Sequence, residues 1–219
     1  MTEFGAIFDW DGVIIDSSAQ HERSWELLAA ERNLPLREGH FKRGFGKKNE
    51  VIIPDLGWAT EPAQVAELGA RKEAIYRELV REGGIEPLSG VRELLVALHD
   101  AGIPCAVGSS TPRENLDAIM EILNFREFFR AIVSGDDVTH GKPAPDIFLL
   151  AAERLGMPPG RCVVFEDAFV GIEAAHAGGM KCVAVATTNP LDQLGHADLA
   201  VASLREITVP RLRALISNP

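Results

Sequence analysis

The chain is poor in cysteine and lacks the paired cysteines of a disulfide-linked or metal-stabilised fold. Only three of its 219 residues are cysteine, Cys105, Cys162 and Cys182, and no Cys-x-x-Cys pair occurs. The odd count and the missing pair argue against a disulfide framework and against a zinc site. Each cysteine stands at or near the start of an apolar run, so we expect all three to pack in the core.

Long apolar runs and excess positive charge are missing as well. No apolar stretch reaches the roughly 18 residues that span a bilayer. The apolar run Phe4–Phe8 leads straight into Asp9 without the basic start of a signal peptide, so we expect a cytoplasmic protein. The formal net charge of −10 argues against nucleic acid and against an anionic membrane as partners.

Positive charge is concentrated in one segment of this acidic chain. Between Arg37 and Lys48 there are five basic residues and one acidic residue. This basic segment would suit a small phosphorylated substrate, and it would equally suit a solvated surface patch.

Short apolar runs alternate with helical patterns over most of the chain. The runs typical of strands are Phe4–Phe8, Pro104–Ser109, Ala131–Ser134, Cys162–Phe165, Cys182–Ala186 and Leu199–Ala202. The helical patterns from residue 91 onward are Val91–Ala101, Arg113–Leu123, Pro145–Leu155 and Gly171–Ala177. This alternation predicts an α/β fold with a Rossmann-like, doubly wound parallel sheet covered by helices on both faces.

Residues 17–86 interrupt the alternation. Ser17–Glu31 and Glu61–Val80 have helical spacing of apolar residues, and no convincing strand lies between them. We therefore expect a helical cap domain, 17–86, inserted into an α/β core domain made of residues 1–16 and 87–219. Gly83 and Gly84 in the return linker would either form a hinge or end a helix. A hinge is favoured because domain closure over a charged reaction excludes water.

Polar residues follow four of the apolar runs, at the strand ends where ligands bind in α/β proteins. Asp9 and Asp11 follow the first run, although Asp-x-Asp alone is weak evidence because turns use aspartate freely. The later segments are Val107-Gly108-Ser109-Ser110-Thr111, Gly141-Lys142-Pro143-Ala144-Pro145-Asp146 and Val163-Val164-Phe165-Glu166-Asp167.

These four endings, in this order and over nearly the whole chain, resemble the haloacid dehalogenase superfamily of phosphotransferases. The resemblance implies that Asp9 attacks phosphorus and forms an aspartyl-phosphate, and that Asp11 is the general acid and base. We expect Ser109 to hydrogen-bond a phosphate oxygen, the N–H groups of Ser110 and Thr111 to form part of an anion-binding nest, and Lys142 to neutralise charge beside Asp9. A helix cap before Pro112-Arg113 is the alternative role for the residues from Ser109 to Thr111.

The resemblance also implies a magnesium ion, which prefers oxygen ligands. Asp9 and Asp167 are the expected carboxylate ligands, Asp11 would bind through its backbone carbonyl, and Glu166 would orient the ligand shell. Dehalogenases of this fold typically lack the second aspartate, so Asp11 favours phosphate chemistry.

The position of the cap resembles the subgroup that contains β-phosphoglucomutase and many small-metabolite phosphatases. His21 matches a histidine that couples cap closure to proton transfer, and Lys72 matches a lysine that contacts substrate. Lys47 stands near the place where the mutase holds its non-transferring phosphate with an arginine. Lysine lacks the bidentate fork of arginine, which casts doubt on mutase activity. An exposed surface position is the alternative for all three residues.

A second resemblance involves cap segments such as Lys48-Asn49-Glu50 and Ala70–Tyr76, which are similar to phosphatases of riboflavin biosynthesis that act on a ribitylamino-uracil phosphate. We therefore expect a magnesium-dependent phosphatase of a small phosphorylated metabolite, monomeric or weakly dimeric. A β-phosphoglucomutase-like isomerase is the alternative. A binding module without catalysis is disfavoured because every acidic motif residue is present.

Overall fold

A computed structural model describes residues 3–44 and 47–217, and within them every side chain except that of Lys42. The chain forms two compact units. Met1–Asp16 and Glu86–Pro219 make up the first, which we call the α/β unit, and Ser17–Ile85 make up the second, the helical unit.

The α/β unit is built on a six-stranded sheet in the order β3-β2-β1-β4-β5-β6, and all of its strand pairs are parallel. All six predicted strands are present, each within a few residues of its predicted bounds. They are β1 (Gly5–Phe8), β2 (Cys105–Gly108), β3 (Phe129–Val133), β4 (Cys162–Glu166), β5 (Lys181–Val185) and β6 (Leu199–Val201). The sheet confirms the predicted α/β fold class.

The described helices include all six predicted ones and three that the sequence patterns did not indicate. The additional helices α2, α3 and α9 are short, and Pro54 interrupts the pattern of α3. The helices are α1 (Ser18–Arg32), α2 (His40–Gly44), α3 (Asn49–Asp55), α4 (Pro62–Gly83), α5 (Val91–Asp100), α6 (Arg113–Leu123), α7 (Asp146–Leu155), α8 (Phe169–Ala177) and α9 (Val209–Ser217).

The central strands are buried along their whole length. Ile7 of β1 is in register with Ala106 of β2 on one side and Val164 of β4 on the other, and all three are fully buried. They share a core cluster with Phe148 of α7 and Ile172 of α8. Such apolar strands need cover on both faces, which helices crossing between parallel strands provide.

The strand order places β1 where the direction of winding reverses. Strands β2 and β3 follow on one side of β1, and β4 to β6 follow on the other. The reversal lies between the neighbouring strands β1 and β4, and open α/β sheets bind their ligands at the carboxyl ends of the strands at such a point.

The helical unit has a core of its own between α1 and α4. Trp25 and Leu28 of α1 and Ile75 of α4 belong to one buried cluster, and the indole of Trp58 donates a hydrogen bond of 2.8 Å to the carbonyl of Pro35. Pro62 starts α4 at a position where a missing N–H costs nothing. Throughout the described part of both units, the helices are too short or too polar to cross a bilayer.

Candidate active site

Two acidic residues follow β1 and β4, the two strands between which the direction of winding reverses. Asp9 comes directly after β1, and its backbone N–H donates to the carbonyl of Phe165 on β4 at 3.0 Å. Asp167 comes directly after β4, so parallel pairing of β1 and β4 brings these two carboxylates to the same edge of the sheet. Both side chains are buried.

Lys142 bridges this pair of strand ends from the loop before α7. Its ammonium lies 2.9 Å from Oδ1 of Asp9 and 2.5 Å from Oε1 of Glu166. Burial opposes the charged form of Lys142, but the two carboxylates outweigh it and raise the pKa of the lysine above its ordinary value. Lys142 is therefore a fixed positive charge beside Asp9.

Glu166, the last residue of β4, is fully buried and engaged through both oxygens. Oε1 accepts from Lys142, while Oε2 accepts from the backbone N–H groups of Asp167 at 2.7 Å and Ala168 at 2.8 Å. The carboxylate thus holds the lysine and shapes the loop that carries Asp167.

Asp9, Glu166 and Asp167 form a buried carboxylate cluster, with one oxygen from each lying within 4.8 Å of the others. Burial raises the pKa of Asp9, with Lys142 opposing and Glu166 adding to the effect. Burial together with Glu166 and Asp9 raises the pKa of Asp167. Three carboxylates face one ammonium here, which leaves excess negative charge when all are ionised. This oxygen-rich cluster fits a hard divalent cation such as magnesium.

The turn after Asp9 requires glycine at position 12. Gly12 has a φ of +84°, and its N–H donates to the carbonyl of Ile15 at 2.7 Å. A side chain there would place its Cβ 1.9 Å from Oδ2 of Asp167. The missing side chain thus lets the loop after β1 approach the loop after β4.

Ser109, directly after β2, belongs to a chain of hydroxyl groups that reaches Asp11. Its hydroxyl donates to Oγ1 of Thr111 at 3.1 Å, and Oγ1 of Thr111 donates to Oδ2 of Asp11. The N–H of Thr111 donates back to Oγ of Ser109 at 3.2 Å. Ser110 lies between the two and is half-buried.

Two site residues after β5 escaped the sequence interpretation. The hydroxyl of Thr188 donates to Oδ2 of Asp167, and the amide of Asn189 donates to the carbonyl of Asp167 at 2.9 Å. The same signal that singled out Asp9 was available, because polar residues again follow directly after an apolar strand. The side-chain role of Thr111 was missed for a different reason: its partner Asp11 is 100 residues away in sequence.

The helical unit contains a separate buried polar cluster. The ammonium of Lys72 is 2.6 Å from Nδ1 of His21 and 3.0 Å from Oε1 of Glu73, and it lies 5.3 Å from the centre of the Trp25 ring. Tyr76 stacks on His21 with ring centres 4.0 Å apart. Lys72 is only 3% exposed, so it is not one of the ordinary surface lysines.

Lys47, the third predicted residue of the helical unit, has a different environment. It is exposed, and its ammonium lies 3.1 Å from Oδ2 of Asp55. The structure therefore brings His21 and Lys72 together, whereas Lys47 pairs with a surface carboxylate.

Comparisons with known proteins point to one family. The profile of the haloacid dehalogenase-like hydrolases matches residues 5–179. A 5-amino-6-(5-phospho-D-ribitylamino)uracil phosphatase, chloroplastic, of Arabidopsis thaliana is 40% identical over 215 residues, which cover 96% of this chain and 57% of the relative. The chain thus spans little more than half the length of that relative.

Two further proteins resemble the chain along almost its whole length. Beta-phosphoglucomutase of Bacillus subtilis is 34% identical over 213 residues, covering 94% of this chain and 92% of the relative. The crystal structure of a HAD hydrolase, family IA, variant 3, from Entamoeba histolytica has a TM-score of 0.89 at 28% identity and covers 100% of both chains. With the sheet order and the strand-end residues described above, these matches show that the chain belongs to the haloacid dehalogenase-like hydrolase family.

Proposed function

We propose that this protein is a magnesium-dependent phosphatase that hydrolyses a small phosphorylated metabolite through an aspartyl-phosphate. The observation that carries the proposal is the placement of Asp9: buried at the end of β1, 2.9 Å from Lys142, in a carboxylate cluster that fits a divalent cation. Phosphatases among the relatives support the reaction class.

In the first half of the reaction, an oxygen of Asp9 forms a bond to phosphorus while the bond from phosphorus to the ester oxygen breaks. Asp11 gives its proton to the departing ester oxygen, which leaves as an alcohol. Lys142 and the hydroxyl of Ser109 hold the phosphoryl oxygens and offset the charge that collects on them.

In the second half, water attacks the phosphorus of the aspartyl-phosphate and passes a proton to Asp11. The bond from phosphorus to Asp9 breaks, so inorganic phosphate leaves and both aspartates return to their starting states. Splitting one transfer into two steps with the same acid and base is the advantage of a covalent intermediate.

Asp9, Asp167 and the backbone carbonyl of Asp11 would hold the magnesium ion. Bound there, the ion would supply positive charge that offsets the phosphoryl oxygens and the carboxylate cluster. Both oxygens of Glu166 are already used by Lys142 and by two backbone N–H groups, which favours a role in positioning Lys142.

We assign substrate choice to the helical unit, as a cap domain. The buried Lys72 beside His21 supports a role for both in recognising a polar substrate group. The substrate class is a sugar phosphate or a ribityl-pyrimidine phosphate, following the relatives. Lys47 would have to leave Asp55 before it could bind a second phosphate. A cytoplasmic location and a monomeric or weakly dimeric state stay predictions.

A β-phosphoglucomutase-like isomerase is the second candidate, because the cap pair His21 and Lys72 resembles that subgroup and a β-phosphoglucomutase matches over most of its length. In this reaction a sugar hydroxyl replaces water as the acceptor of the phosphoryl group.

A product assay separates the two candidates. The purified protein with magnesium is offered β-glucose 1-phosphate and a trace of the 1,6-bisphosphate, beside a panel of sugar phosphates and the ribitylamino-uracil phosphate. Release of free phosphate without glucose 6-phosphate supports the phosphatase, whereas rapid formation of glucose 6-phosphate with little free phosphate makes the protein a mutase.

The substitution Asp9→Asn tests the nucleophile in the same assay. We expect a loss of nearly all turnover with an unchanged circular dichroism spectrum, because the amide cannot attack phosphorus. Unchanged turnover in this variant would rule out Asp9 as the nucleophile.

A further inference from the structure

Thr111 lies between Ser109 and Asp11 in the chain of hydroxyl groups, and the proposed mechanism assigns no role to it. We propose that Thr111 is a positioning residue that holds the carboxylate of Asp11 and couples its orientation to the phosphate site at Ser109. This inference rests on the proposed phosphatase function and adds a residue to it.

The direction of each hydrogen bond follows from the number of protons available. A threonine hydroxyl has one proton and two acceptor positions. Thr111 donates this proton to Oδ2 of Asp11, since a carboxyl oxygen without a proton of its own can only accept. Its oxygen is then left to accept from the hydroxyl of Ser109 at 3.1 Å. The single proton of Ser109 is therefore also engaged.

The position of Thr111 is fixed by its backbone as well as by its side chain. Its N–H donates to Oγ of Ser109 at 3.2 Å, and its carbonyl accepts from the N–H of Gly135 at 3.2 Å. Thr111 is buried, with 8% of its surface exposed, so water competes little for its hydroxyl. These contacts make Thr111 a rigid support for a carboxylate that must move a proton along one direction.

Phosphate binding would change the hydrogen bond that the Ser109 hydroxyl donates. A phosphoryl oxygen only accepts hydrogen bonds, so the Ser109 hydroxyl turns to donate to it and leaves Thr111. Of the two hydrogen bonds that the Thr111 hydroxyl makes in this series of hydroxyl groups, the one to Asp11 then remains. The phosphate site and the general acid are in this way linked through one hydroxyl group.

Removal of the hydroxyl at constant shape tests the assignment. The measurement is kcat/KM on two esters, p-nitrophenyl phosphate and the alkyl phosphate of the panel that the wild-type protein hydrolyses fastest. This constant reports the first half of the reaction, in which the leaving group departs, and not the hydrolysis of the aspartyl-phosphate that both esters share. An alkyl leaving oxygen needs the proton of Asp11, whereas p-nitrophenolate is a stable anion and needs little protonation.

For Thr111→Val we expect kcat/KM on the alkyl ester to fall by about 10- to 100-fold, which is part of the typical contribution of general acid catalysis. We expect kcat/KM on the aryl ester to fall by less than about threefold, because its leaving group needs little protonation. Thr111→Ser keeps the hydroxyl and restores most of the alkyl activity. The ratio of the two activities does not depend on the folded fraction of a preparation, and Thr111→Ala gives a second variant for the same ratio.

An equal fall on both esters in Thr111→Val, or no fall on either, would overturn the positioning role of Thr111 while the phosphatase function stands. A second check uses the Asp11→Ala background, in which Thr111→Val should change neither rate because its target is already absent. A wild-type protein that hydrolyses neither ester would instead overturn the proposed function, and with it this inference.

Discussion

A methyl group on Gly171 would lie 1.8 Å from Oε1 of Glu166, the oxygen that also accepts from Lys142. The first turn of α8 therefore approaches the buried carboxylate so closely that only glycine fits. We expect Gly171→Ala to displace the Glu166 side chain and to loosen Lys142 with it.

For Gly171→Ala, overpacking in a buried site predicts a loss of about 1–3 kcal/mol in the free energy of unfolding. Turnover should fall by more than tenfold, because the position of the lysine beside Asp9 depends on Glu166. Denaturant unfolding and phosphate release measure the two effects. Gly195→Ala is the matched control, since a Cβ at that exposed position meets no atom within 4 Å. Wild-type turnover in Gly171→Ala would show that the Glu166 position is not critical.

Thr188 holds an oxygen of Asp167, one of the carboxylates that we assign to magnesium. We expect Thr188→Val to raise the magnesium concentration needed for half-maximal activity by about tenfold, the usual effect of losing a partner of a metal ligand. The value of kcat at saturating magnesium should stay near that of the wild-type protein. Thr188→Ser should restore the affinity, and Thr187→Val at the exposed neighbouring position is the control. An unchanged magnesium requirement in Thr188→Val would contradict the role of this hydroxyl.

Asp137 stabilises the fold in a pH-dependent way. Burial opposes its charge, but bonds from the backbone N–H and hydroxyl of Ser134 and from Arg154 outweigh burial and lower the pKa of Asp137 to about 2. A carboxyl whose pKa is lower in the folded state adds stability above its unfolded pKa near 4, and that stability is lost as the pH falls towards 2.

We therefore expect Asp137→Asn to reduce the free energy of unfolding by about 1 kcal/mol at pH 7, a value reduced for the partial exposure of the group. The difference from the wild-type protein should shrink as the pH is lowered from about 4 to about 2. Urea unfolding at several pH values measures it, with Asp192→Asn at an exposed position as control. A difference that is constant with pH would mean that the charge of Asp137 is not involved.

The three cysteines should be unreactive in the folded protein. Burial raises the pKa of Cys105 to about 12 and that of Cys162 to about 11, and burial followed by Glu166 and Asp198 raises the pKa of Cys182 well above its ordinary value. A raised thiol pKa keeps the group neutral at pH 8, and the neutral thiol is a poor nucleophile. We therefore expect iodoacetamide to alkylate no cysteine of the native protein in the time that it needs to alkylate all three in denaturant, as measured by the mass of the protein. Rapid addition to the native protein would show that one thiol is reached without unfolding.

The pattern of apolar residues in the sequence made much of the fold predictable. Apolar runs of strand length alternate with helical spacing from residue 91 onward, and the six predicted strands and six predicted helices are all present. The helices α2 and α3 were not predicted, because one or two helical turns contain too few apolar repeats to show a period. Helix α9 was not predicted either, although its nine residues equal the length of the predicted α8. The conclusion that the cysteines pack in the core was confirmed, since all three are buried.

The sequence by itself determined the types of residue at the strand ends, because parallel strands direct their carboxyl ends, and the polar residues after them, to one edge of the sheet. Which of these residues meet was decided only by the tertiary structure. The order of the strands makes β4 the neighbour of β1, which joins Asp9 and Asp167, and the loops place Thr111 on Asp11 and Thr188 on Asp167.

The partners of Lys72 were also decided only by the tertiary structure, because its sequence neighbours gave no sign that it would be buried against His21 and Trp25. The local periodicity of apolar residues predicts which residues are buried. The choice of a hydrogen-bond partner depends on packing between segments far apart in the chain, and no local pattern encodes it.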